Sequence, residues 1–336
     1  MALGLAARRL GGGHCHEEEE EEPDYAMGFL LTVGAGLAKV LGCAAIPMLR
    51  CGNERKLMAV ALGFASGVML WISVVNILGS EAPGFFKAHF VPNQCGRLLG
   101  EEAGEGEHED EALIEARLCM MGCFFAGALI ATGIKMLATR CFGAHAHDCG
   151  PPAAEGQDCI HPEGAIGEAP QEFGPVTRAK LKTASLVSLM AMTMHNFPEG
   201  LATFFGGGAG SFFVPIAIAV HNIPEGMAVA LPQYQASRSF VRAAISALVA
   251  GMAQPVGAAI GWLLIATLGL DNLPGIVYGV MFAFTAGYMV CVAVTELLPH
   301  AFASAPAGVV SASIFAGFLL MEVAIIAVHA GGGHGH

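Results

Sequence analysis

The chain has 336 residues, 54% of them hydrophobic and only 13% charged, with a mean hydropathy of +0.60, which excludes an average soluble domain and reads as a multi-pass membrane protein. The net charge of -12 comes largely from Glu17 to Glu22 and from the acidic run between Glu101 and Glu115, so nucleic acid is not an expected partner. The 45 glycines suit helices packed through small residues.

Residues 1–24 carry two arginines and a block of glutamates without a continuous apolar stretch. They read as a disordered tail rather than a secretory signal peptide. Crossing roughly 30 Å of hydrocarbon takes about 20 apolar residues. Eight runs qualify, at 26–49, 57–79, 118–139, 183–205, 211–231, 241–268, 275–298 and 306–329. The fifth is interrupted by Pro215 and Pro224 but is still long enough to span. Ser80 to Ala116 and Arg140 to Lys182 read as loops, the second flexible and holding His145, His147, Cys149 and His161. The ten cysteines show no regular spacing, and Cys43 and Cys291 sit inside apolar runs, so no disulfide framework is expected. The chain is therefore read as an all-α membrane protein with a short tail and one transmembrane domain over 25–336.

Lys and Arg in the short loops set orientation. With the N-terminus outside, Arg50, Arg55, Lys56, Arg140, Arg178, Lys180, Lys182, Arg238 and Arg242 lie on the cytoplasmic side. Arg8, Arg9, Lys87, Arg97 and Arg117 lie on the other, among excess acid. Both termini are thus expected on the non-cytoplasmic side, with the plasma membrane the first expectation. Lys135 can snorkel to the cytoplasmic edge. Lys39, inside the first run, finds no place in this pattern.

"TMHNFPEGLA" at Thr193 to Ala202 recurs as "AVHNIPEGMA" at Ala219 to Ala228. Residues four apart share a helix face and residues three apart are neighbours, so Glu199 serves both His195 and Asn196, and Glu225 both His221 and Asn222. If the helices face each other, His195, His221, Glu199 and Glu225 enclose one cation, and Asn196, Asn222 and the same glutamates enclose a second. Pro198 and Pro224 free the carbonyls of Met194 and Val220 and predict broken helices at membrane depth. Gly200 and Gly226 predict close approach of a neighbour. One intramembrane His or Glu reads equally as a packing residue, but two buried glutamates without a cation cost several kcal/mol. Imidazole with carboxylate suits Zn²⁺, and also Fe²⁺ or Mn²⁺, better than Ca²⁺ or Mg²⁺. A metalloprotease would show His-Glu-x-x-His, which is absent, and so is a P-loop.

These motifs, with "GFASGVMLWIS" in the second run, "AQPVGAAIGW" in the sixth and "FTAGYMVCVAVTELLP" in the seventh, resemble the ZIP (Zrt/Irt-like) family of divalent metal transporters, on its compact bacterial and GufA-type branch. The resemblance covers about Tyr25 to His329. It implies eight transmembrane helices, a metal site between the fourth and fifth, and movement of metal into the cytoplasm. It implies a first metal position at His195, Glu199, His221 and Glu225, with Met69 a further thioether ligand or simply a packing methionine. The second position would use Asn196, Glu199, Asn222 and Glu225, and Gln254 stands where several relatives carry Glu. A neutral amide should hold the second ion more weakly. Glu296 resembles a family acidic residue and reads equally as a helix-end glutamate facing water.

The expected function is transport of zinc, with Fe²⁺, Mn²⁺ and Cd²⁺ as further cargo, and the resemblance implies that one helical block, including the fourth and fifth spans, slides against another. No enzyme activity and no prosthetic group are expected; the partners are the metal ions and the lipid bilayer, and a homodimer is compatible with the sequence. The competing reading is a metal-gated sensor or regulator without net transport. The tail residues His14, Cys15, His16, His334 and His336 suit metal capture or low-complexity ends equally.

Overall fold

The computed structural model describes residues 24–47, 54–90, 106–143, 175–208, 213–268 and 275–332. The tail, the loop residues His145, His147, Cys149 and His161, and the C-terminal His334 and His336 lie outside the described residues. Within them the chain is helical. Helix α1 spans Tyr25–Leu41 and tightens into a 3₁₀ turn at Gly42–Ala45, and Asp24 caps it by accepting a hydrogen bond from the Met27 amide at 2.9 Å. Helix α2, Glu54–Trp71, passes through a π-helical stretch, Ile72–Glu81, into α3, Ala82–Phe90. Then come α4 (Gly106–Gly143), α5 (Pro175–Gly208), α6 (Phe213–Ser237) and α7 (Phe240–Leu268). Helix α8, Gly275–Val292, runs through a second π-helical segment, Ala293–Leu297, into α9, Leu298–Ser304, and α10 is Ala307–Gly332.

Six of these helical rods are long and apolar enough to cross a membrane: Tyr25–Ala45, Glu54–Phe90, Glu111–Leu137, Phe240–Thr267, Gly275–Ser304 and Ala307–Ala327. The other two, α5 and α6, are the ones that carry the repeated motif, whose His, Asn, Pro and Glu dilute their apolar content.

Three expectations change. The loops are shorter than hydropathy suggests: α3 and the start of α4 fall inside Ser80 to Ala116, α4 runs on to Gly143, and α5 already begins at Pro175. Hydropathy marks the length that suits hydrocarbon, whereas a helix ends only where its backbone bonding or capping fails. The prolines do not break their helices, because Pro198 lies inside a continuous α5 and Pro224 inside a continuous α6. Pro215 falls in the first turn of α6, where a missing N–H costs least. Glu296 does not face water: it is 8% exposed and pairs at 2.8 Å with Lys135, whose ammonium also donates to the Thr295 carbonyl at 2.9 Å.

The rods sort into two groups. Helices α1, α5, α6 and α7 all pack against one another. The rest form the second group, with α4 on α8, α10 and α9 on α2, and α3 on α8 and α4. The groups meet where α2 and α10 touch α6 and where α8 and α4 touch α5. Close approach within the first group depends on glycine: a Cβ on Gly36 of α1 would lie 2.5 Å from the Gly251 carbonyl oxygen of α7. Small residues at such crossings let helix backbones touch.

Candidate metal centre

Because α5 and α6 run unbroken through their prolines, the four-residue spacing of His and Glu keeps its helical geometry, and each helix offers an imidazole and a carboxylate on one face. The structure pairs them crosswise. His195 Nε2 lies 3.3 Å from both oxygens of Glu225, and His221 Nε2 pairs with Glu199 Oε1. Each imidazole therefore meets the glutamate of the other helix. His195 Nδ1 sits 3.2 Å from the Ala191 carbonyl; donating its proton there leaves Nε2 for the centre, as metal-binding imidazoles are commonly oriented. His195 and Glu225 are fully buried, and His221 and Glu199 are nearly so.

One ligand atom from each of His195, Glu199 and Glu225 lies within 4.8 Å of the others. A tetrahedral zinc shell with bonds of about 2.0–2.2 Å sets ligand atoms about 3.3–3.6 Å apart. A side-chain adjustment of roughly an ångström would close this set on one ion, since the 3.3 Å His195–Glu225 separation is already of that size.

The neighbouring polar groups are arranged differently. Asn196 donates through Nδ2 to the Ala250 carbonyl at 2.8 Å, and its Oδ1 is buried without a hydrogen-bond partner among the described residues. Asn222 donates through Nδ2 to the Ala35 carbonyl at 2.7 Å and to Gln254 Oε1 at 3.0 Å. Gln254 donates through Nε2 to Glu199 Oε2 at 2.6 Å. Gln254 thus faces Glu199 and Asn222. Met69 is fully buried in the apolar cluster that also holds Met192 and Tyr288.

Two residues of this neighbourhood escape sequence reasoning. Lys39 is fully buried; its ammonium pairs with Glu225 Oε2 and donates to Asn222 Oδ1 at 2.6 Å. Tyr288 of α8 brings its ring centroid to 6.0 Å from that of His195, and its hydroxyl is buried without a hydrogen-bond partner among the described residues. A lysine inside an apolar run was the signal for the first. The second lay in a quoted motif, with nothing to mark the tyrosine.

Gly200 and Gly226 explain how outside helices get in. A Cβ on Gly200 would strike the backbone of Gln254, and one on Gly226 would strike the backbone of Lys39. Each copy of the motif thus ends in a glycine that seats the helix delivering one of the two extra polar side chains.

A bundle with six membrane-length helices and a buried two-histidine, two-glutamate cluster defines a multi-pass membrane protein built around a polar centre whose donor set suits a cation. The family described as ZIP Zinc transporter matches residues 25–325, and the chain belongs to that family. It is accordingly a transporter rather than an enzyme. It is similar to the zinc transporter ZupT of Chlorobaculum parvum, 32% identical over 89% of this chain and 96% of the relative, and to that of Akkermansia muciniphila, 33% identical over the same shares. The zinc transporter ZupT of Streptococcus mutans is 32% identical, again over 89% of this chain and 96% of its own length.

Proposed function

We propose that this chain carries zinc across the plasma membrane into the cytoplasm, binding it between α5 and α6 through His195, Glu199, His221 and Glu225. The observation that carries this reading is the crosswise pairing of the two imidazoles with the two glutamates in a buried place. Neither helix alone offers a cation site, and together they offer nitrogen and oxygen donors with two negative charges, a set suited to Zn²⁺. Met69, Asn196, Asn222 and Gln254 are the surrounding residues that tune it. The names of the relatives support zinc as the cargo.

Helices α5 and α6 complete eight spans in this reading, their polar motif facing the bundle rather than lipid. Both termini lie on the non-cytoplasmic side. Consistent with that, Arg238 at the α6–α7 turn pairs with Glu54 at the start of α2 through contacts of 2.7 and 3.0 Å, placing Arg55, Lys56, Arg238 and Arg242 at one end of the bundle.

The cargo travels with the α1, α5, α6 and α7 group, because every charged residue of the centre belongs to it. The second group stays against the bilayer and meets the centre through Tyr288 and Met69. Zinc flux into proteoliposomes tests the proposal: uptake that saturates with Zn²⁺ and is lost in Glu199→Ala is expected. Zinc-dependent conformational change without flux would instead favour a sensor.

A further inference from the structure

We propose that Lys39 acts as a built-in cation at the second metal position and restricts the centre to one zinc ion per cycle. This rests on the reading of the His195, Glu199, His221 and Glu225 cluster as the transport site. A second ion would have to be held by Asn196, Asn222 and the shared glutamates. Two of those partners are already engaged by the same ammonium: Asn222 Oδ1 accepts from Lys39 Nζ at 2.6 Å, and Glu225 Oε2 is its ion-pair partner. The remaining carboxylate is capped from the other side by the Gln254 amide, which donates to Glu199 Oε2 at 2.6 Å. A donor stands where a second ligand would be needed.

The intrusion is built into the backbone. Gly226 leaves room for the Lys39 main chain and Gly200 for that of Gln254, and Lys39 Cβ lies 3.5 Å from where a side chain on Gly251 would begin. The Lys39 backbone is thus held against α6 and its Cβ against α7. Its side chain is fully buried, with the ammonium on Glu225 and Asn222.

Charge then decides the occupancy. Glu199, Glu225 and Lys39 together carry one net negative charge, which one divalent ion converts to one net positive charge. A second divalent ion would raise this to three positive charges within a few ångströms in a desolvated place, where like charges repel far more strongly than in water. Lys39 also serves the unloaded carrier. With zinc gone, Glu225 keeps a cationic partner and is not left as an isolated buried carboxylate, so the block can return empty.

The test is metal analysis of purified protein loaded with Zn²⁺ and freed of excess. The parent and Lys39→Arg are expected to hold about one zinc per chain, and the double variant Lys39→Gln, Gln254→Glu about two, because it trades an ammonium for an amide and an amide for a carboxylate. Gln254→Glu alone is expected to stay at about one, its new carboxylate being taken by Lys39. About two ions in the parent or in Gln254→Glu, or about one in a folded double variant, overturns the proposal. X-ray absorption of the zinc-loaded parent needs no variant: a zinc–zinc vector at about 3.5–4 Å overturns it as well. Retention of the parent's zinc in Glu199→Ala would instead overturn the transport site itself, and this inference with it.

Discussion

Glu199 and Glu225 each face a histidine of the opposite helix and a further polar group, Gln254 for one and Lys39 for the other. Removing either carboxylate deletes a ligand and also leaves buried donors and cations without their counter-charge. Glu199→Ala and Glu225→Ala are both expected to abolish zinc flux while the protein still inserts, as measured with reconstituted protein of verified folding. Wild-type-like flux in either would remove the cluster from the transport path. His195→Ala leaves both negative charges in place and deletes a nitrogen donor. Zinc is expected to bind at least about 10–100-fold more weakly, the range that loss of even a supporting partner costs at metal sites, and preference should move toward metals that favour oxygen. Competition of Fe²⁺, Mn²⁺ and Cd²⁺ against zinc uptake reads this, and an unchanged selectivity order would exclude His195 as a ligand.

The helices hold the centre together by touching where glycine permits. Gly226→Ala and Gly200→Ala each push a methyl into the backbone of Lys39 or Gln254, an overpacking expected to cost about 1–3 kcal/mol. Gly122→Ala is the control, since nothing lies within 4 Å of its added carbon, and there the better helix propensity of alanine should give no loss. Thermal unfolding in detergent separates the two cases; equal midpoints for Gly226→Ala and Gly122→Ala would mean that α1 does not seat on α6 as described. The duplicated His-Asn-x-Pro-Glu-Gly motif made α5, α6 and the facing of their two histidines and two glutamates legible in the sequence, because helical spacing alone puts those residues on a shared face. The helix ends were not legible, since polarity stops a span without stopping a helix. Nor was the role of Lys39, whose partners lie 183 and 186 residues away, a separation that no local pattern encodes.

Taken whole, the bundle divides into a group that holds every charged residue of the centre and a group that frames it. Residues 144–174, between α4 and α5, lie outside the described residues, and their sequence, rich in Pro, Gly and Glu, shows no hydrophobic periodicity. Deleting residues 145–161 is accordingly expected to leave zinc flux intact and to alter its regulation or the rate of metal release; complete loss in a well-folded deletion would make that segment part of the core. The long separation between Lys39 and Glu225 also has a meaning for the cell that makes the chain. A ribosome adding roughly 5–20 residues per second delivers α1 to the insertion machinery about 10–40 s before the glutamate 186 residues further on has been synthesised. Through that interval the lysine of the first span lacks the ion-pair partner it has in the finished bundle, so the α1–α6 contact at the centre forms only after α6 has been made.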